Sequence, residues 1–532
     1  MKNRLKLLNV CVFWGSVLMF GTVFAQQHKA GLKKGDVFTR KVIPAEQHRY
    51  RIHLKNGMGF LAEVQERGID VAIDVEDDKS MLVTRYDSSH GMQGLEKIDF
   101  SATQTGWYTF VFSVLEESAS GGSYEFKVLE VLEALTNGKR LMRKELQSTA
   151  MYNLWESYLT DKNAIDHFLK KQRQNHLIEK IPGNDKEMLV TYFCVPSKHT
   201  EYVMLSGGPD FLGLRFHPLG TSKLHFVSQR VPVDARFAYG FNYFEKRNFG
   251  PTEHIIKRSI EHAYDGLVTM PAAPEQPYTV IRKGVPKGEV KSMTIASEIL
   301  QENRKIKLCL PAGFDRQKEY HLLVVFDGEA YGVAPRIKDR VPVPTIMDNL
   351  HAEGVIKPTV TVLVASMGKR KKDMISDKFS NFIAKELIPG IRSQYSIAPG
   401  PDKVVLAGSS RGGFAASFIA YQHADVVGNV LSQSGSYWIK AETSENHWIY
   451  PESDGKLIRL YREQKKLPLR FYMEVGLYES GASMLGMNRQ FRDILVLKGY
   501  PVQYSEFKGG HNYQNWRGTF AKGVKALLGI QK

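Results

Sequence analysis

The chain has 532 residues, 43% of them hydrophobic, and carries 72 Lys and Arg against 56 Asp and Glu. That length suits two or three domains with a well-buried core in at least one, and makes a single domain a poor description. A formal net charge of +16 would draw anionic small molecules, nucleic acid or lipid headgroups alike, but an export signal argues against nucleic acid and no amphipathic basic helix argues for a membrane surface, which leaves an acidic substrate.

Met1 to Ala25 combines a basic head (Lys2, Arg4, Lys6), an apolar run from Leu7 to Phe24 and a small residue at Ala25 before Gln26-Gln27. The run is short for a membrane span and no stop-transfer charges follow it. The expectation is a Sec-type signal peptide over residues 1–25, a periplasmic or secreted protein, and no transmembrane segment after cleavage. Cys11 lies in that run. Cys194 and Cys309 remain, far apart and in apolar strand-like stretches, so no disulfide framework or cysteine metal site is expected; an exported chain can pair two cysteines, but two buried thiols fit the surroundings better.

Residues 26–133 hold short alternating segments, among them Tyr50-Arg-Ile-His-Leu54, Phe60-Leu-Ala-Glu-Val64, Asp70-Val-Ala-Ile-Asp74, Trp107-Tyr-Thr-Phe-Val-Phe112 and Tyr124-Glu-Phe-Lys-Val128. Period-two alternation with turn clusters between predicts an antiparallel, jelly-roll-like β-sandwich. With Gly106-Trp-Tyr and Gly121-Gly-Ser-Tyr124 opening strands, the segment loosely resembles the pre-peptidase C-terminal-like domains appended to secreted bacterial enzymes. It offers no convergent acid, base and nucleophile, so it reads as an accessory module.

Residues 134–285 begin with a helical pattern to about Lys180, in which Trp155 and Phe168 read as core-facing positions. Strands follow, including Met188 to Val195, Tyr202 to Leu205 and Phe237 to Phe241, and predict a second, immunoglobulin-like sandwich. Residues 286–532 then alternate buried β-branched runs with helical stretches: Ile306 to Leu310, Leu322 to Phe326, Thr359 to Ser366, Lys403 to Ala407, Val426 to Leu431, Arg470 to Val475 and Gln503 to Phe507 are the strands. That is a largely parallel α/β sheet of the α/β-hydrolase type.

The chemistry centres on Gly408-Ser-Ser-Arg-Gly412, a G-x-S-x-G turn between a β-rich run and an apolar helix, with Ser410 as nucleophile. A serine hydroxyl needs an imidazole to take its proton and a carboxylate to orient the imidazole, in chain order Ser, acid, His. Of His423, His447 and His511, only His511 sits in a glycine-rich loop straight after a strand. Glu479, in the loop after Arg470 to Val475, is the favoured acid over Glu474, which is still inside the strand. The backbone N–H of Arg411 should supply one oxyanion donor, and the loop after Phe326 the other, through Gly328 or Glu329.

These segments also carry a resemblance. Pro218-Leu-Gly-Thr221, Val231 to Tyr239 and Met270 to Pro277, then Asp327-Gly-Glu329, Pro342-Val343, Glu386-Leu-Ile-Pro389, Ala407-Gly-x-Ser-x-Gly-Gly413, Leu431-Ser-Gln-Ser-Gly-Ser-Tyr-Trp438, Gly476-x-x-Glu479 and Gly509-Gly-His-Asn-x-x-x-Trp-Arg517 are similar, in order, to enterochelin esterases over about residues 150 to 530. The resemblance implies Ser410, His511 and Glu479 as triad and an anionic ferric catecholate trilactone as substrate, with iron present only as part of it and no cofactor. It implies that Arg340, Arg370 with its neighbours in Lys369-Arg-Lys-Lys372, Arg411, Trp438, Trp516 and Arg517 face that substrate. The chain departs from the family in placing Arg411, not an aromatic residue, after the serine, and in its leader and extra sandwich. Related hydrolases with the same elbow cleave feruloyl or acetyl esters of plant polysaccharide, and a non-catalytic siderophore- or glycan-binding protein is the third reading.

Overall fold

The computed structural model describes residues 26–42, 46–87, 94–114, 122–132, 148–210, 214–245, 256–257, 266–439 and 454–530; the expected signal peptide lies outside them. The chain divides into two compact units at Ala134.

In the first unit, the strands Gln26–Ala30, Gln47–Leu54, Gly106–Val114, Val71–Glu76 and Leu82–Tyr86 form one sheet, in that spatial order, and Val37–Val42, Gly122–Leu132, Gly59–Arg67 and Leu95–Ser101 form a second. Strict alternation explains the arrangement. Tyr50, Ile52, Phe110 and Phe112 from one sheet and Phe60, Val64, Tyr124 and Phe126 from the other meet in one core, while the residues between them point away. Four of the five alternating segments read from the sequence fall wholly in these strands, and the fifth, Asp70 to Asp74, begins one residue before its strand Val71–Glu76.

The second unit opens with helices Thr149–Thr160, capped by Ser148, and Ala164–Lys171. Met151, Leu154, Trp155 and Ile165 pack against Phe193, Leu219 and Phe226. The helical pattern was expected to run to Lys180, but His176–Ile181 is a strand pairing antiparallel with Asn184–Cys194; its partners lie across a tight turn, and cross-strand pairing outweighs the local helical spacing. Two sheets follow, one built on Asn184–Cys194 and His225–Pro232, the other on Thr200–Ser206 and Arg236–Glu245. Val190, Tyr192, Val203, Leu205, Phe237, Tyr239 and Phe241 form their shared core.

The rest of the unit is an eight-stranded sheet, labelled here β1 (Glu289–Ser297), β2 (Glu302–Leu310), β3 (His321–Val325), β4 (Thr359–Val364), β5 (Val404–Ser409), β6 (Asn429–Gln433), β7 (Arg470–Gly476) and β8 (Val502–Phe507), in the order β1-β2-β4-β3-β5-β6-β7-β8. The pairs β1–β2 and β2–β4 are antiparallel and every later pair is parallel. Alternate residues of the central strands enter two different cores: Leu322, Val324, Leu406 and Val430 face one side, and Leu323, Val325, Val405 and Leu431 the other. Helices cover both faces, which is why these strands read as continuous apolar runs. Cys194 and Cys309 are both buried. Among the described residues no helix is long and apolar enough to cross a membrane.

Candidate active site

Parallel strands of such a sheet end on one edge, and loops leaving that edge can converge. Asp327, Met367, Ser410 and Ser434 follow β3, β4, β5 and β6, and all four have left-handed backbones, with φ of 57, 50, 57 and 49°. Non-glycine residues take such values at a cost, and clusters of them mark places where side-chain direction has been put ahead of backbone comfort.

Ser410 stands at the turn from β5 into helix α2 (Arg411–Gln422), the helix that follows α1 (Gly328–Tyr331) in the labelling used here, with φ 57° and ψ −122°. The turn is tight enough that a Cβ on Gly408 would sit 2.6 Å from the carbonyl carbon of Gly412. The Ser410 N–H donates to the carbonyl of Gln433 at 2.9 Å and its own carbonyl accepts from the Ser436 N–H at 3.0 Å, so the elbow is laced to the loop after β6. Ser410 Oγ lies 3.2 Å from Ser436 Oγ.

The loops after β7 and β8 bring in the acid and the imidazole. Glu479 Oε2 lies 2.7 Å from His511 Nδ1, with the carboxylate side chain fully buried and the imidazole one third exposed. The other oxygen, Oε1, accepts from Ser434 Oγ at 2.6 Å and from the Gly476 N–H at 2.8 Å. Gly476 lies where these two loops cross: a Cβ there would come within 2.2 Å of the Gly509 carbonyl oxygen and 2.8 Å of Glu479 Oε1. His511 also meets the edge of Trp516, ring centroids 4.8 Å apart at 86°.

Glu474, the alternative acid, sits elsewhere. It accepts from Gln433 Nε2 at 2.8 Å, from Tyr472 Oη at 2.9 Å and from the Thr519 hydroxyl. Burial raises its pKa, and those three hydrogen bonds pull the other way.

At the end of β3, Asp327 caps α1, and Arg370 Nε donates to its Oδ1 at 2.7 Å while Arg370 Nη2 donates to the Ser409 carbonyl at 3.1 Å. Burial of Arg370 opposes its charge, but the bond to Asp327 wins and its pKa is raised. Glu329 turns its carboxylate to Ser366 and Met367, accepting from their N–H groups at 3.0 and 2.9 Å, and also accepts from its own N–H. The Glu329 N–H is thus already engaged by its own carboxylate.

The structure separates the residues expected to face a substrate. Arg411 lies over the half-buried Trp438, its guanidinium carbon 5.8 Å from the ring centre, beside Ser410. Arg340 lies 5.3 Å from the ring centre of Tyr513 and bonds Asp339. Arg370, Trp516 and Arg517 instead turn inward. Arg370 is held by Asp327; Trp516 is buried with Nε1 donating to Ser434 Oγ at 3.1 Å; Arg517 is buried with Nη1 and Nη2 donating to the carbonyls of Ile337 and Pro335 at 3.3 Å. Lys369 pairs with Glu302. A charge run in sequence is thus divided between ion pairs and the exposed Lys371 and Lys372. Sequence reasoning did not single out Gln433, Ser434, Ser436, Asp327 or Tyr513 individually; the first three lie in the Leu431 to Trp438 run, whose likeness to a family motif was the available signal.

Residues 297–527 match the family described as "Putative esterase". The iron(III) enterobactin esterase of Dickeya dadantii (strain 3937) is 27% identical over 274 residues, 49% of this chain and 60% of the relative. That of Escherichia coli (strain K12) is 26% identical over 274 residues, 49% of this chain and 62% of the relative. The chain thus spans about three fifths of the length of these curated relatives. The crystal structure of enterochelin esterase from Shigella flexneri superposes with a TM-score of 0.54 at 20% identity, covering 68% of this chain and 97% of that one. The ferric enterobactin esterase of Salmonella typhimurium gives 0.54 at 19% identity, covering 68% and 98%. A sheet ordered β1-β2-β4-β3-β5-β6-β7-β8 with a serine elbow after β5 is a hydrolase fold of the esterase type. Its fold is that of the enterochelin esterases, and residues 297–527 form an esterase domain.

Proposed function

We propose that this chain is an exported serine esterase that cleaves ester bonds of a ferric catecholate siderophore through an acyl-enzyme. The observation that carries the reading is the Glu479–His511 pair at 2.7 Å on the same sheet edge as a serine elbow with φ 57°. Glu479 accepts from Nδ1–H and so leaves His511 Nε2 as the proton acceptor. Ser410 Oγ attacks the ester carbonyl while Nε2 takes its proton; the N–H groups of Arg411 and Gly328 donate to the oxyanion; the intermediate collapses and His511 returns the proton to the departing alcohol. Water repeats the sequence on the acyl-enzyme. No resident cofactor takes part, and iron(III) enters only within the substrate.

Arg411 and Trp438 give this reading its substrate side. An anionic, aromatic ligand is matched by a fixed positive charge laid over an aromatic ring next to the nucleophile. Export rests on the sequence of residues 1–25 and is tested by N-terminal sequencing of the mature protein, which should begin at Gln26.

The deciding assay uses p-nitrophenyl butyrate with wild type and Ser410→Ala, followed by ferric trilactone and a feruloylated oligosaccharide in parallel. Turnover of the butyrate ester is expected to vanish in Ser410→Ala and the trilactone to be the better natural substrate. Equal turnover by the variant would end the serine-esterase reading; cleavage of the sugar ester alone would move the protein to the carbohydrate esterases.

A further inference from the structure

The run Leu431-Ser-Gln-Ser-Gly-Ser-Tyr-Trp438 supplies no reacting atom to the mechanism above, yet its polar side chains reach three separate parts of the site. Gln433 Oε1 accepts from Tyr331 Oη at 3.0 Å, and its Nε2 donates to Glu474 and to the Trp516 carbonyl, joining α1 to the helix that follows His511. Ser436 Oγ lies against Ser410 Oγ. Ser434 lies between them and is wholly buried.

The hydroxyl of Ser434 does two things at once. It donates to Glu479 Oε1 at 2.6 Å and accepts from Trp516 Nε1 at 3.1 Å, forming a chain from indole to hydroxyl to carboxylate to imidazole. Its backbone is turned to φ 49°, with its N–H donating to the Glu474 carbonyl at 2.7 Å. An extended residue here would send its side chain to the other side of the strand end; the left-handed turn is what lays the hydroxyl on Glu479.

We propose that Ser434 is a positioning residue for the triad acid, holding Glu479 so that Oε1 is occupied and Oε2 alone is presented to His511. This rests on the esterase reading above. A carboxylate has about four acceptor directions and a soft terminal torsion. Gly476 N–H fixes one direction at Oε1, but one bond leaves the plane of the carboxylate free to turn about it. The second donor, Ser434, sets the plane. The same hydroxyl also accepts from Trp516 Nε1, whose ring lies edge-on to His511, but its effect on the triad runs through Glu479.

The test is a double-mutant cycle read on p-nitrophenyl butyrate, with Ser434→Ala, Glu479→Gln and the pair. Ser434→Ala is expected to lower kcat by about tenfold or more, the scale of a hydrogen bond to a charged group, with KM within about twofold of wild type. In the Glu479→Gln background the same change is expected to cost nothing further, because Ser434 acts through Glu479. A structural role would instead lower kcat by the same factor in both backgrounds. Ser434→Gly runs beside it, since glycine removes the hydroxyl while relieving the left-handed backbone; it should keep the fold if alanine does not, and repeat the kcat loss. Wild-type kcat in the folded variant, or equal losses in both backgrounds, overturns the proposal. Ser410→Ala is assayed alongside: if it stays active the esterase reading itself has failed, and if it is dead while Ser434→Ala and Ser434→Gly match wild type, only the positioning role has.

Discussion

Replacing Glu479 by glutamine tests the acid by exchanging one oxygen for an amide nitrogen, and the surrounding donors decide which. The Oε1 position receives the Gly476 N–H at 2.8 Å and the Ser434 hydroxyl at 2.6 Å. A backbone N–H cannot become an acceptor, so the glutamine oxygen must take that position and its NH2 must face His511 Nδ1. The imidazole then accepts at Nδ1 and carries its proton on Nε2, where it cannot take one from Ser410. Loss of the carboxylate charge adds to this, since nothing then stabilises the imidazolium. A fall in kcat of roughly 10³ to 10⁴ is expected, equivalent to about 4–5 kcal/mol of transition-state stabilisation, with KM little changed. Glu474→Gln is the control made by the fold itself. There the only donor that cannot reverse is Gln433 Nε2, at 2.8 Å from Oε1; the other partners, Thr519 and Tyr472, are hydroxyls that can turn. The glutamine NH2 can donate to Tyr472 Oη, and kcat should stay within about threefold of wild type. Steady-state kinetics on p-nitrophenyl butyrate with circular dichroism to verify folding decide the matter. If Glu479→Gln retains a tenth of the activity, or Glu474→Gln loses as much, the assignment of the acid is wrong.

Glu66, in the first unit, is wholly buried, and burial, with Glu96 and Asp70 adding to it, pushes its pKa up to about 8. The native chain keeps a proton that the unfolded chain releases above its ordinary value of 4.5, so this carboxyl makes stability fall as pH rises from about 4.5 to 8. Glu66→Gln keeps an acceptor for the Val71 N–H, bonded at 2.8 Å, and should raise the melting temperature of that unit by several degrees at pH 8 and hardly at all at pH 5; an equal shift at both pH values would refute the linkage. Arg370→Met strips the buried Asp327 of its guanidinium and the Ser409 carbonyl of a donor. It should destabilise by about 1–3 kcal/mol and lower kcat; an unchanged melting temperature with a raised KM for ferric trilactone would instead return Arg370 to the substrate face.

Local pattern made the hydrolase sheet readable because its central strands are buried on both sides, so sequence alone shows apolar runs between helices. The elbow was readable for a similar reason: Gly408 leaves no room for a side chain against the backbone of Gly412, and that steric demand is written in five consecutive residues. Glu479 and His511 could be placed because each follows a strand directly. What sequence did not disclose lies in contacts across large separations. Arg370 and Asp327 are 43 residues apart, and nothing local distinguishes Arg370 from its lysine neighbours. Trp516 and Arg517 fall on the inner face of a helix (Tyr513–Leu528) whose direction is set only by docking. Strand β1 was missed because Glu289-Val-Lys-Ser-Met-Thr-Ile-Ala-Ser297 is an edge strand, largely exposed along its length, whose apolar face is limited to Met293 and Ile295.

The pair of sheets before the hydrolase sheet takes on a further meaning when its contacts with the acid and imidazole loops are followed. Tyr478, next to Glu479, is buried in the core of those sheets, edge-on to Phe237 at 5.5 Å. The Arg236 N–H donates to the Lys508 carbonyl at 2.9 Å, and Lys508 pairs with Asp234 at 2.8 Å, three residues before His511. Loops of this kind, one to three residues from the reacting groups, would otherwise be among the least constrained parts of the fold. Here the acid's neighbour is a core residue of the preceding sheets, and the histidine loop continues their hydrogen bonding. The geometry of Glu479 and His511 is therefore fixed from two sides, by Ser434 and Gly476 within the hydrolase sheet and by Phe237 and Arg236 outside it. A hydrolase domain without those sheets would keep Ser410 on its elbow and lose the anchorage of the two groups that activate it.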